Sequence, residues 1–254
     1  MNIFATGGSG YIGLNLNRHL KKQDATFVNY DQTMGHDILD HNALYRNMKR
    51  CDAVVHLAAL PDVSYCERNI EEAIDINIVG TCNVARAART LELPLVFIST
   101  MAAKTAHNIY GMTKHLGERV VLKNFGVVLR LSNVYGGIAY LGRKRSAMAS
   151  FVRHKKQGLS AEIFGDGSAR RDFIHVDDVC RAIIQGLGAP PAIYEVCTGK
   201  KTSIKELADL VGVEYTFTST RAGDIKEVDS EPSYEALGWK SEVKLKDGIK
   251  ELLK

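Results

Sequence analysis

The stretch NIFATGGSGYIG, Asn2 to Gly13, decides the fold. Asn2 to Thr6 reads as a short buried strand, and a helix begins near Gly10. Between and within them Gly7, Gly10 and Gly13 form G-x-x-G-x-x-G. Glycines at those positions permit a tight turn, close approach of a pyrophosphate, and close packing of helix on sheet. The helix N-terminus adds free N–H groups and a positive dipole end. The alternative, a merely structural glycine turn, lacks a reason for all three glycines in this context. The next strand, TFVNYD, ends at Tyr30-Asp31. A carboxylate there can accept hydrogen bonds from an adenosine ribose and repels a 2′-phosphate, which favours NAD over NADP. Asp37 and Ile38 are expected to flank the adenine, with a plain turn acid as the other reading of Asp37.

Outward from this turn, apolar runs of strand length alternate with amphipathic stretches. DAVVHLAA, LPLVFIST and GVVLRLS follow as strands. EEAIDINIVGTCNVARAARTL and YGMTKHLGERVVLKNF carry helical apolar spacing between them. Continuous rather than alternating apolar strands imply burial on both faces, hence a parallel sheet covered by helices. The expected fold is therefore α/β, a Rossmann-type doubly wound parallel sheet. After Ser132 the rhythm loosens: NVYGGIAYLGRKRSAM reads as a loop leading into a helix. AEIFGDGSARRDFIHVDDVCRAIIQGL reads as strand, turn, short strand and helix, and AIYEVCTG as another strand. No Pro- or Ser-rich linker separates the parts. The expectation is a small interwoven C-terminal substrate lobe: residues 1–132 plus about 172–197 form the nucleotide-binding domain, and about 133–171 plus 198–254 the small lobe.

With 254 residues, 45% of them hydrophobic, the chain can bury a sizeable core. Its net charge of +4 is too small, and its basic clusters too free of aromatics, for a nucleic-acid binder. Arg143-Lys144-Arg145 and Arg153-His154-Lys155-Lys156 read as solvated helix faces. Cys51, Cys66, Cys82, Cys180 and Cys197 form no CxxC and no zinc spacing, as expected of reduced thiols in the cytoplasm. No apolar run reaches the roughly 18 residues of a membrane span, and the chain opens directly into a strand without a signal peptide. His175-x-Asp177-Asp178 lacks partners for a metal, so Asp177 reads as the N-cap of the helix from Val179 to Leu187. His56 reads as a core-edge residue beside the cofactor. No metal is expected.

The chemistry-bearing stretch is VFISTMAAKTAHNIYGMTKHLGERV, Val96 to Val120. Tyr110 and Lys114 are at i and i+4, on one helix face. An ammonium near a phenol favours the phenolate, as does an oxidised nicotinamide. Together they could bring a side chain that titrates near about 10 into use as a general base. Thr100 closes a parallel strand at its carboxyl end, where ligands of open α/β sheets bind. Residues 101–109 can span roughly 30 Å when extended, so Thr100 and Tyr110 can meet over one cofactor.

These residues, with TGGSGYIG, DAVVHLAA, NIVGT, FIST, YGMTK, RLSNVYG, GDGSARRDFIHVDDV, RAGD and LGW in that order, resemble the extended short-chain dehydrogenase/reductase family. The similarity is to its nucleotide-sugar epimerase/dehydratase branch and runs from residue 3 to about 239. The resemblance implies NAD on the N-terminal sheet, held by Gly7, Gly10, Tyr11, Ile12, Gly13, Asp31, Asp37, Ile38, Leu57, Ala58, Ala59, Asn77, Tyr110 and Lys114. It implies Thr100, Tyr110 and Lys114 as the catalytic set. For the substrate, a nucleotide sugar and most simply a UDP-sugar, it implies Asn133, Arg171, Arg221 and Asp224. It further implies a homodimer through the helices around 67–90 and 110–124. Met101 and Ala102 stand where sugar dehydratases of the family carry an Asp-Glu pair, so water elimination is not expected. The expected activity is C4 epimerisation; a nucleotide-sugar reductase or dehydrogenase, or a non-catalytic NAD-binding regulatory protein, are the alternatives.

Overall fold

The computed structural model describes residues 1–143, 146–220 and 227–254. The first half runs β1 (Asn2–Thr6), α1 (Tyr11–Lys21), β2 (Thr26–Tyr30), α2 (His41–Met48), β3 (Ala53–His56), α3 (Val63–Arg68), α4 (Ile70–Ile74), α5 (Thr81–Thr90) and β4 (Leu95–Thr100). It continues with α6 (Ala102–Thr105), α7 (Ile109–Lys123) and β5 (Val127–Leu131). Then come β6 (Asn133–Tyr135), α8 (Ala147–Gln157), β7 (Ala161–Phe164), β8 (Arg170–His175), α9 (Val176–Gly186) and β9 (Ile193–Val196). The chain ends with β10 (Lys201–Ser203), α10 (Ile204–Val211), β11 (Tyr215–Thr218), α11 (Tyr234–Leu237) and α12 (Leu245–Leu253).

The main sheet has the order β2-β1-β3-β4-β5-β9, parallel throughout. Its central strands β3 and β4 are buried on both faces, as their unbroken apolar runs require. Alternate residues of a strand point to opposite faces. Ile3 accordingly joins the core beneath α1 and α9, with Leu16, Leu20 and Ile183. Phe4 joins the core on the other face, with Leu44 of α2, Val84 of α5 and Val121 of α7. The chain reverses direction across the sheet between β1 and β3, and in register Thr6 pairs with His56 there. That reversal opens a crevice at the carboxyl ends of the strands.

Beyond β5, β6 pairs with β8 in parallel, β10 joins β8 antiparallel, and β7 pairs with β11. A third core of Tyr135, Met148, Phe151, Ile163, Leu207 and Ile249 binds these to α8, α10 and α12. β9 and α9 return to the main sheet, α9 placing Val179, Ala182 and Ile183 in its first core. Among the described residues no helix is long and apolar enough to cross a membrane.

Three local expectations are corrected. NVY is a strand, not a loop, because β8 offers it a hydrogen-bonding edge. The helix expected across 71–91 is interrupted by a π-helical turn, Asp75–Gly80, which carries Asn77; extra residues of this kind within helices gather at functional sites. α9 starts at Val176 and is capped by His175, whose Nδ1 accepts from the Asp177 N–H at 3.2 Å. Asp177 is drawn away to α1 instead, by Arg18 at 2.6 Å and His19 at 2.9 Å.

Candidate active site

The glycine turn is built by steric exclusion. Gly7 adopts φ +66°, and a Cβ there would lie 2.7 Å from the Ala58 backbone at the end of β3. Gly10 is the N-cap of α1 and Gly13 packs on the Gly8 backbone. Unlike α2, α7, α8, α9 and α10, α1 has no side chain capping its first N–H groups, and unlike α9 and α10 it has no acid in its first turn. An uncapped N-terminus with close backbone approach suits an anionic diphosphate.

Asp31 is buried beside this turn. Its carboxylate accepts from Ser9 N at 3.1 Å, Thr33 N at 2.9 Å and the Thr33 hydroxyl at 2.8 Å. Burial works to raise its pKa, but the Thr33 and Ser9 hydrogen bonds prevail and hold it below the usual carboxylate value. A fixed negative charge therefore sits beside the glycine turn. The residues present thus fit an adenine dinucleotide without a 2′-phosphate. Ile38 is buried against Gly80, whereas Asp37 is exposed and accepts from Leu39 N at 2.8 Å, the turn role that was its other reading. Ile12, Leu57, Ala58 and Ala59 are half-buried around the crevice. Tyr11 is tied back by its hydroxyl, which donates to Gly136 O at 2.7 Å. Asn77 is buried, its amide clasping both the N–H and C=O of Leu60.

Across the crevice, β4 ends in Thr100, whose hydroxyl accepts from Ala102 N at 3.2 Å and lies near enough to the Tyr110 phenol to lower its pKa. The short connection is possible because Gly111 has no side chain: a Cβ would stand 2.7 Å from Ala102 O. Asn108 caps α7 by accepting from Gly111 N at 2.8 Å. Beneath it, Lys104 of α6 donates to Glu195 at 2.8 Å and to Asp229 O at 3.2 Å.

Burial pushes the Tyr110 phenol up to about 12, and Cys66 adds to this; Arg143 and the Thr100 hydroxyl pull it down. Lys114, one turn further along α7, places its Nζ over the Phe97 ring, 3.9 Å from the centroid. Burial lowers the Lys114 ammonium to about 7, opposed by Glu118. Glu118 is itself buried and fully engaged: it accepts from Ser99 at 2.6 Å and from Arg130 at 2.8 and 2.6 Å.

Asn133 is exposed at the start of β6, opposite Phe173, and Arg171 lies two residues before Phe173 on β8, donating to Arg170 O at 2.8 Å. Arg221 and Asp224 lie outside the described residues. Two features escape a reading of the sequence. Arg143 follows a 3₁₀ turn rather than lying on a helix, and its guanidinium stacks 4.8 Å over Tyr11. His56 is fully buried rather than at the core's edge. The register of β1 and β3 would have suggested the latter; nothing in the basic run at 143 indicated the former. Among the described residues no group of His, Cys, Asp and Glu could hold a metal ion.

A glycine turn at the reversal point of a parallel sheet, facing a Thr–Tyr pair with a buried lysine, defines a dinucleotide-binding α/β protein of the short-chain dehydrogenase type. The chain belongs to the NAD dependent epimerase/dehydratase family, which matches residues 3–197, and NAD is the cofactor of that family. It is 30% identical to a putative UDP-glucose 4-epimerase of Methanocaldococcus jannaschii, over 99% of this chain and 97% of that one. It is 28% identical to a GDP-6-deoxy-D-mannose reductase of Pseudomonas aeruginosa, over 99% and 95%. The crystal structure of UDP-glucose 4-epimerase from Thermotoga maritima with UDP-glucose superposes with a TM-score of 0.92 at 25% identity, covering 100% of this chain and 97% of that one.

Proposed function

We propose that the chain is an NAD-dependent nucleotide-sugar 4-epimerase, with a UDP-sugar as the simplest substrate. The observation that carries this reading is the half-buried Tyr110 phenol set near the Thr100 hydroxyl at the carboxyl end of β4, one helical turn from a buried Lys114. NAD, when bound, supplies a hydride acceptor that becomes a donor, and a positive ring whose charge favours the phenolate. Gly7, Gly10, Gly13 and the first turn of α1 hold its diphosphate, and Asp31 its ribose. Tyr110 takes the proton from the sugar hydroxyl as its carbon gives up hydride, leaving a ketone on the sugar. Thr100 hydrogen-bonds the reacting oxygen, and Lys114 supplies the further cation that makes the phenolate accessible. The small lobe grips the diphosphate with Arg171, Arg221 and the Asn133 region, and Asp224 meets the nucleotide ribose. The keto-sugar turns over about its phosphate linkage and takes hydride back on the other face, with Tyr110 returning the proton. No net redox results. Without acids at Met101 and Ala102, elimination of water lacks its proton carriers.

The similarity to a GDP-6-deoxy-D-mannose reductase supports a second reading, net reduction on the same side chains. Purified protein incubated with UDP-, dTDP-, GDP- and CDP-sugars, with products resolved by NMR, separates the two. Epimers formed without added cofactor support the first reading; stoichiometric loss of NADH supports the second. Tyr110→Phe is expected to lose about a thousand-fold or more in turnover while retaining NAD. Unchanged turnover in that variant removes the tyrosine from the reaction. Exposed apolar side chains of Ile70, Ile74, Val79, Met112 and Leu116, on α4, the π turn and α7, support a second copy of the chain as partner. Sedimentation of Leu116→Glu as a monomer, against a dimer for the unaltered chain, tests this.

A further inference from the structure

The crevice floor contains polar side chains that the chemistry above does not use. Thr6, His56, Thr81, Asn77 and Thr113 are all buried. They form one hydrogen-bonded chain. Ala58 N donates to Thr6 Oγ1 at 3.3 Å, and Thr6 Oγ1 meets His56 Nδ1 at 2.7 Å. His56 Nε2 meets Thr81 Oγ1 at 2.9 Å, and Thr81 donates to Asn77 O at 2.7 Å. The Asn77 amide donates to Thr113 Oγ1 at 3.1 Å, and Thr113 donates to Tyr110 O at 2.9 Å.

The direction of each bond follows from counting protons. Thr81 has one hydroxyl proton and gives it to Asn77 O, so toward His56 it can only accept. His56 Nε2 therefore carries the ring proton. In a neutral ring Nδ1 is then bare and accepts from Thr6, whose oxygen receives the Ala58 N–H. A second ring proton would reverse the Thr6 contact and strand a hydroxyl proton in a dry interior, which is costly. Burial, and then Lys114, hold the ring neutral, with a pKa of about 3. Phe97 stacks on the same ring at 5.3 Å and offers its face to Lys114, so the imidazole also braces the ammonium's seat.

We infer that His56, as a neutral imidazole donating to Thr81 and accepting from Thr6, is a positioning residue that sets α7 against the strand ends meeting the cofactor. One end of the relay is the backbone beside Gly7; the other is the backbone of Tyr110. Hydride transfer is sensitive to sub-ångström placement, so a slack relay lowers turnover before it lowers cofactor affinity. This rests on the functional reading above.

The test compares His56→Leu, His56→Gln and Thr113→Val with the unaltered chain. Each is measured for turnover of the best sugar nucleotide, NAD affinity by calorimetry, and deuterium uptake of residues 109–115 with saturating NAD. His56→Leu is expected to lose about ten-fold or more in turnover with NAD affinity within about three-fold, and to take up deuterium faster in 109–115. His56→Gln, whose amide can donate to Thr81, recovers most of the loss. Thr113→Val reproduces the defect from the far end, and the double variant is no worse than His56→Leu alone. Turnover within about two-fold in folded His56→Leu and Thr113→Val overturns the inference. So does loss of turnover and NAD affinity in equal proportion, which marks plain destabilisation. If His56→Leu does not fold, Thr113→Val decides alone. If the unaltered chain turns over no sugar nucleotide, the functional reading fails and deuterium uptake decides the relay.

Discussion

The two walls of the crevice solve opposite problems. The glycine wall uses backbone: Gly7 lies against Ala58, α1 keeps its first N–H groups uncapped, and Asp31 contributes a charge held ionised by hydrogen bonds. The tyrosine wall uses side chains moved away from their ordinary titration, the phenol upward and the ammonium downward, both chiefly by burial. The first wall is shaped by what it leaves out and is compatible with stability. The second holds groups at odds with their surroundings, a recurring mark of reacting sites.

Gly7→Val offers the largest effect with which to break this comparison. A side chain there must both occupy a left-handed φ and overlap the Ala58 backbone, so NAD binding is expected to vanish, with a loss of roughly 2 kcal/mol or more in urea unfolding. If Gly7→Val still binds NAD in calorimetry, the steric account of that wall is wrong. Lys114→Met sharpens the other wall: turnover should fall by about a hundred-fold or more, yet the protein should become more stable. The sign follows from linkage. The folded pKa, about 7, lies below the ordinary 10.5, so the lysine's contribution is fully present above 10.5 and lost as pH falls through 7. The gain on removing it should thus be largest below pH 7, roughly 2–4 kcal/mol before the Phe97 contact is discounted, and disappear near pH 10.5. Urea titrations at pH 6 and 10.5 measure it, and an equal gain at both pH values contradicts the burial argument. Thr100→Val should cost about ten- to a hundred-fold in turnover with NAD affinity retained. Smallest, Asp31→Ala should weaken NAD by about ten-fold while leaving NADP little changed, so the ratio of the two dissociation constants is the readout.

The glycine wall was the more legible of the two because its requirement is written as residue absence at fixed spacing, within a strand–turn–helix. Thr100, Tyr110 and Lys114 were equally visible as residues, and the first two lie near one another at the end of β4. The direction of the Lys114 ammonium was not visible, because Phe97 lies on a strand whose face toward α7 depends on packing. The relay through His56 was hidden for a related reason: Thr6, His56, Thr81 and Thr113 come from four elements and meet only through β1–β3 register and the π turn. That turn interrupts an apolar pattern that by itself predicts one uninterrupted helix. Short β6, β10 and β11 carried too few residues to display a period, and their pairing is supplied by neighbours distant in sequence.

The Lys104 contacts bear on how this site comes into being during synthesis. The platform under Thr100 is secured by Glu195, while Glu195 also receives Glu231 N at 2.8 Å and Ser233 Oγ receives Glu195 N at 3.0 Å. A nascent chain that has emerged only as far as β9 already contains every member of the Thr–Tyr–Lys set, but not the 229–233 stretch that clamps the ledge beneath it. The nucleotide turn, by contrast, is complete once β3 has joined β1. The glycine turn thus draws on neighbours closer in sequence, whereas the ledge beside Thr100 draws on residues more than a hundred positions further along the chain.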